Sequence, residues 1–241
     1  MTKNPNVKVV GFFGQSGAGK TTIIRNLTSL DKRVIKTNTG ITRSLRASKP
    51  NTYFEPNDLL NKYGKDLDAL KIHEKRAKID EIYEKYIRGQ LQLLNDYSTE
   101  VFQDSRDNHV TPTTLVYDRS PLDFYTVTVC GVAYLKSVLG KELNDLCKLL
   151  MTQCKKTAEV NSVNFFDAIF ITYPWVQPSV EKASLIDGVR DHYLSDFYTG
   201  DNWYGIINKV NINPVKLFTL DSDITDLMKR ASIVNKKLTE I

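Results

Sequence analysis

Apolar positions along the chain fall into two kinds of stretch that alternate with each other. The first kind is short and unbroken. Val7-Lys8-Val9-Val10-Gly11-Phe12-Phe13 is the earliest example, rich in residues that suit a strand buried on both faces. A short second strand is predicted at 32–37, a third at 113–117, a fourth at 166–173 closed by Pro174, and a fifth at 215–219. The second kind has apolar residues three and four apart, the period of a helix face. It covers 20–29, then 57–98, where Ile79, Ile82, Tyr83, Tyr86, Ile87, Leu91, Leu94 and Tyr97 form one stripe. Gly64 and Gly89 mark breaks or bends in that long stretch, and the polar residues 99–112 are expected to be a loop. Locally, Thr126-Val127-Thr128-Val129 favours a strand. Leu122, Tyr125, Val129, Val132 and Ala133 fit a helix stripe, and a parallel sheet needs a crossover there, so 122–139 is assigned as helix. Further helices are predicted around Leu143–Cys154, at about 191–209, and from Asp221 or Ser222 to the C-terminus.

Strands that alternate with helices give an α/β fold: a mainly parallel five-stranded sheet with helices on both faces. The 241 residues, 41% hydrophobic, suit one domain over 1–241. No repeat, low-complexity tract or linker divides it. No apolar run approaches membrane-spanning length and no signal-peptide pattern is present. The three cysteines, Cys130, Cys147 and Cys154, lack metal-site spacing, so a reducing, cytosolic setting is expected. Net charge is +5, which suits an anionic ligand without requiring nucleic acid.

The residues with the sharpest chemistry follow the first strand. Gly14-Gln15-Ser16-Gly17-Ala18-Gly19-Lys20-Thr21, continued by Thr22, is G-x-x-x-x-G-K-[ST] between a buried strand and a helix. Glycines let such a loop turn its N–H groups inward on a phosphate, and the helix N-terminus adds partial positive charge. Lys20 would reach the β- and γ-phosphates of ATP, and the Thr21 hydroxyl would ligate Mg²⁺. The third strand ends in Asp118-Arg119-Ser120-Pro121. The segment after the second strand, with Arg43 and Arg46, is basic and meets no carboxylate until Glu55. A loop at the carboxyl end of a strand is where an open α/β sheet contacts its ligand, so both arginines are acceptor candidates. Two solvated arginines on a surface turn is the plain alternative. The segment 176–190 follows the fourth strand and contains Asp187-Gly188-Val189-Arg190, which suits a lid.

With these residues in view, the chain resembles the P-loop nucleoside and nucleotide kinases. Thymidylate and deoxynucleoside kinases carry an acid-Arg pair after the third strand, matched here by Asp118-Arg119-Ser120, and lid arginines after the fourth, matched by Arg190. The stretches Asp118-Arg119-Ser120-Pro121-Leu122-Asp123 and Asp187-Gly188-Val189-Arg190 are similar to kinase-like P-loop proteins of bacteria and phages, including nicotinamide-riboside-kinase-like ones. For a phage protein the setting would be the host cytoplasm.

The resemblance implies a three-layer P-loop fold with a helical acceptor-binding insertion at 57–98, and ATP and Mg²⁺ as cofactors. It also implies phosphoryl transfer, with Lys20 on the phosphates, Thr21 and Asp118 on the metal, Arg119 clamping a phosphate, and Arg190 closing over the migrating group. One departure stands out. Many deoxynucleoside kinases place a carboxylate just after strand two as general base, and here that loop is rich in Thr, Ser and Arg. Asp118 then serves as base, Mg²⁺ anchor or both, or the base comes from elsewhere. The acceptor is expected to be a nucleoside or nucleotide, or else a DNA or RNA strand. An ATP-driven switch or binding module is the reading from another class.

Overall fold

The computed structural model describes residues 3–15, 18–37, 41–49, 52–107, 110–173 and 203–241. In these, five strands form one parallel sheet: β1 (Val7–Phe13), β2 (Val34–Lys36), β3 (Thr113–Tyr117), β4 (Ala168–Thr172) and β5 (Lys216–Leu220). Their order is β2-β3-β1-β4-β5. β1 is therefore central, and the loop that leaves it emerges between the carboxyl ends of β3 and β4.

Side chains of β1 alternate between the two faces, as a pleated strand requires. Val10 and Phe12 pack with Ile23, Ile24 and Leu27 of α1 (Lys20–Leu30). The same cluster holds Ala231, Val234 and Leu238 of the closing helix Leu227–Leu238, which becomes α7 below. Val7, Val9 and Phe13 face the other layer. There they meet Leu93, Leu94, Tyr97 and Val101 of α4 (Ile72–Arg106), Leu122 of α5 (Pro121–Leu139) and Ala158 of α6 (Asp145–Phe165). A third cluster lies beyond the sheet, where Leu59 of α3 (Pro56–Tyr63) packs with Ile82 and Tyr86 of α4, Leu135 of α5 and Leu150 of α6. α4 thus serves twice. Its second half covers the sheet, and its first half forms a helical subdomain with α3.

Several expectations are corrected. The expected loop at 99–112 is helical as far as Arg106, because Val101 and Ser105 continue the buried face of α4 despite their polar neighbours. Gly89 does not break an element: it lies inside the 35-residue α4, where a Cβ would meet the Thr52 carbonyl oxygen 2.5 Å away. The basic segment after β2 carries a helix, α2 (Ile41–Ser48), with Leu45 packed against the core. The closing helix starts later than Asp221 or Ser222: Asp226 caps it, accepting from the N–H groups of Met228 and Lys229. α5 is long and apolar enough to cross a membrane by length and composition, contrary to the reading of the apolar runs. Its flanks are packed between α4 and α6, where Phe124, Cys130 and Leu135 are buried.

Candidate active site

The carboxyl edge of the sheet is built from the phosphate-loop sequence outward. Gly14 stands against the end of β4, where a Cβ would run into the carbonyl oxygen of Thr172, so only glycine lets the chain leave β1 there. Gly19 adopts φ 79° and ψ 7°, the left-handed conformation, at the N-cap of α1. As a glycine it provides no side-chain cap, and the first turn of α1 holds no acid, so no carboxylate there would oppose an anion at the helix N-terminus. Ser16 and Gly17 lie outside the described residues. Lys20 folds back over the loop. Its ammonium donates to the carbonyl of Gly14 and, at 2.7 Å, to that of Gln15. Burial lowers its pKa to about 8; the Arg119 cation pushes the same way, while Asp123 and Asp118 oppose. Thr21 is exposed on the first turn of α1, beside half-buried Thr22.

β3 runs beside β1 in register, Gly11 opposite Tyr117. Asp118 and Arg119 therefore emerge next to the phosphate loop, and both act electrostatically on Lys20. Ser120 begins α5 and forms a capping box with Asp123: its N–H and its hydroxyl donate to Asp123 Oδ2 at 2.8 and 2.9 Å. The other oxygen of Asp123 accepts from the Gly14 N–H at 3.4 Å and stands 3.6 Å from Arg119 Nη1. Asp123 is 1% exposed. Burial raises its pKa, opposed by Arg119, Lys20 and the hydrogen bonds from Ser120. From α4, the buried Tyr97 hydroxyl donates to the Arg119 carbonyl at 2.7 Å and fixes the backbone of the pair. Sequence reasoning missed Asp123 as a site residue. Its signal was present as the last residue of Asp118-Arg119-Ser120-Pro121-Leu122-Asp123, three beyond a helix-capping serine.

On the far side, Tyr204 reaches the same loop. Its hydroxyl donates to the Thr172 carbonyl at 2.7 Å and accepts the Gln15 N–H. Its ring stacks on Tyr173 at 4.0 Å and meets Phe13 edge-on. Arg230 of α7, fully buried, donates to the carbonyls of Tyr173 (2.9 Å), Asp221 (2.7 Å) and Ile224 (2.6 Å). One guanidinium thereby ties together the chain leaving β4 and the chain leaving β5.

The expected acceptor arginines fare differently. Arg46 forms an ion pair with Glu55, the N-cap of α3, so the expectation that no acid neutralises this segment is corrected. The fold brings Glu55 back because α2 and α3 both pack on α4. Nearby, Lys49 pairs with Asp96 at 2.5 Å, and the Tyr53 hydroxyl bonds the same carboxylate. The backbone of Arg43 lies in α2, and its side chain is outside the described residues. Arg190 and the expected lid at 176–190 also lie outside them. Among the described residues no group of three or more His, Cys, Asp or Glu could hold a metal ion. Thr21 and Asp118 would offer a sparser set of oxygen donors, one hydroxyl and one carboxylate. It suits Mg²⁺, which keeps several waters and takes its remaining ligands from one carboxylate and substrate phosphates.

No protein-family model and no curated protein sequence matches the chain. Solved structures do. Deoxyadenosine kinase from M. mycoides, with the products dCMP and a flexible dCDP bound, superposes with a TM-score of 0.56 at 15% identity, over 97% of this chain and 100% of that one. The same enzyme with bound dCTP gives 0.52 at 12% identity over the same shares. The chain has the P-loop nucleoside-kinase fold. In this chain the loop after β1, Asp118-Arg119 after β3 and the end of β4 share one edge of the sheet.

Proposed function

We propose that this chain is a kinase that transfers the γ-phosphoryl group of ATP to a nucleoside- or nucleotide-type acceptor. The observation that carries the reading is the cluster at the carboxyl edge of the sheet. A phosphate loop, its lysine and the Asp118-Arg119 pair are electrostatically coupled in one partly buried site. Water-poor surroundings strengthen every such interaction.

Phosphoryl transfer asks a protein mainly for positioning and charge stabilisation. The loop amides and the α1 N-terminus would hold the β- and γ-phosphates, with Lys20 turning from the loop carbonyls onto them. Bound Mg²⁺ would supply neutralisation of the developing phosphate charge, held by Thr21 and by Asp118 directly or through water. Asp118 would also take the proton of an acceptor hydroxyl, unless another group acts as base. The Arg119 fork would grip an acceptor or donor phosphate in two places. Arg190 is proposed to complete the site from the segment after β4. The pairing of Arg46 with Glu55 leaves less charge for a nucleic-acid strand, which favours a small acceptor. A cytoplasmic enzyme is proposed, since the three cysteines are free, buried thiols.

The test is ATP consumption by the purified protein against a panel of nucleosides, nucleotides, and single- and double-stranded DNA. Phosphorylation of one small acceptor, with near silence when acceptor is omitted, is expected. Steady hydrolysis without any acceptor would support an ATP-driven switch instead.

A further inference from the structure

We propose that Asp123 is a positioning residue of the nucleotide site: its buried carboxylate is the counter-ion that holds the phosphate loop and Arg119 together. This rests on the kinase reading and adds a residue to it.

A capping box needs one carboxylate oxygen, and Oδ2 meets that need through the two bonds from Ser120. Oδ1 is then free to do something a cap does not require. It faces the first amide of the phosphate loop at 3.4 Å and the Arg119 guanidinium at 3.6 Å. Acids in the first turn of a helix are ordinarily solvated, because burying a carboxylate is costly unless cations and donors compensate. Asp123 is 1% exposed, and the compensation comes from Arg119 and Lys20, the two cations proposed to handle phosphate.

Those cations oppose each other, since Arg119 disfavours the charged form of Lys20 while Asp123 and Asp118 favour it. Asp118, only half-buried, is the acid assigned above to the metal and the acceptor. Asp123 is the acid beneath the loop. Gly14, the residue it touches, is fixed on its other side by close contact with Thr172. A change at Asp123 is therefore passed to the start of the phosphate loop and to the Arg119 side chain together. Asn at this position keeps one acceptor oxygen. Turned to Ser120 it preserves the cap, and its amide NH2 then faces the Gly14 N–H and Arg119, so the charge and the acceptor toward the loop are lost together.

The experiment is isothermal titration of Mg²⁺·ATP into wild type, Asp123→Asn and Ser120→Ala, with thermal melts of all three. Asp123→Asn is expected to weaken binding by about 10- to 100-fold, the usual cost of losing a group that orients primary ligands. Ser120→Ala removes the other half of the capping box. It is expected to lower the melting temperature while leaving Kd near the wild-type value. If Asp123 is only a cap, both variants will melt earlier and neither will change Kd, and the proposal falls. It falls equally if Ser120→Ala weakens ATP as much as Asp123→Asn does. Should Asp123→Asn fail to fold, Asp123→Ser, which retains a short cap, is read in its place with the same outcomes. Wild type that binds no ATP would overturn the kinase reading itself, a result distinct from either of these.

Discussion

Lys20 stores a cost in the unliganded protein that ATP would relieve, and pH can expose it. Its ammonium is held in a buried loop with the pKa brought from 10.5 to about 8. An unfolded chain would restore the ordinary value. Between those two values the unfolded state binds the extra proton, so stability must rise with pH across that window. Below pH 8 the full cost applies, on the order of 3 kcal/mol. By pH 10 most of it has gone. The contribution of Lys20 to stability should therefore improve by about 2 to 3 kcal/mol between pH 7 and pH 10. Other groups titrate in the opposite sense: buried Tyr83, Tyr97, Tyr117 and Tyr204 have raised pKa values and lose stability in alkali. Lys20→Met keeps the apolar stem and removes the ammonium with its bonds to the Gly14 and Gln15 carbonyls; that loss is a constant offset, so the pH dependence of the difference between the two proteins isolates the lysine's titration. Urea melts of both at half-unit steps from pH 7 to 10 are the assay, and roughly 5–10 °C is the matching change in the difference between thermal midpoints. ATP affinity should move the other way. A phosphate partner favours the protonated lysine, so binding takes up a proton and weakens as pH rises past about 8. A stability difference that stays flat from pH 7 to 10 would refute the buried, depressed ammonium and the electrostatic reading of the loop with it.

Asp118→Asn should reduce phosphoryl transfer by about 10²–10³-fold while ATP binding stays measurable in titration calorimetry and the melting temperature scarcely changes. Arg230→Met removes a buried guanidinium that donates to three carbonyls and should destabilise by about 2–3 kcal/mol, read as an earlier urea midpoint. Arg46→Ala should cost about 1–3 kcal/mol, because it strands the half-buried Glu55; unchanged stability with weaker acceptor binding would return Arg46 to the acceptor site. Gly14→Ala drives a methyl group into the Thr172 carbonyl, and calorimetry should show ATP binding lost in a protein that still melts cooperatively.

The layers of the fold were legible because two periods are written plainly into the sequence. The step from a buried run to a helix period at Val7–Leu30 places a phosphate loop between strand and helix, and glycine spacing does the rest. Boundaries were less legible where burial overrode polarity. Val101 and Ser105 carry α4 past the point where Thr99, Glu100, Gln103 and Asp104 read as loop, because only one face of that helix needs to be apolar. α2 was hidden for the converse reason. It is a short polar helix whose apolar anchor includes Leu45, and its arginines drew attention from its period.

What the sequence conceals most is partnership between residues far apart along it. Glu55 neutralises Arg46 only because α2 and α3 dock on one helix, and nothing within nine residues of sequence says that they must. Gly89 looks like a helix break and is a contact, since the residue that needs its missing side chain is Thr52. Asp123 looks like the end of a capping box and is that, yet its second oxygen meets Gly14, 109 residues earlier. In each case the residue type already fits a local role, and the long-range role is added without changing the letter. A local motif can therefore be read correctly and still be incomplete. The place to look for the remainder is a side chain buried more deeply than its local role requires, as Asp123 is at 1% exposure and as Arg230 is at 0%.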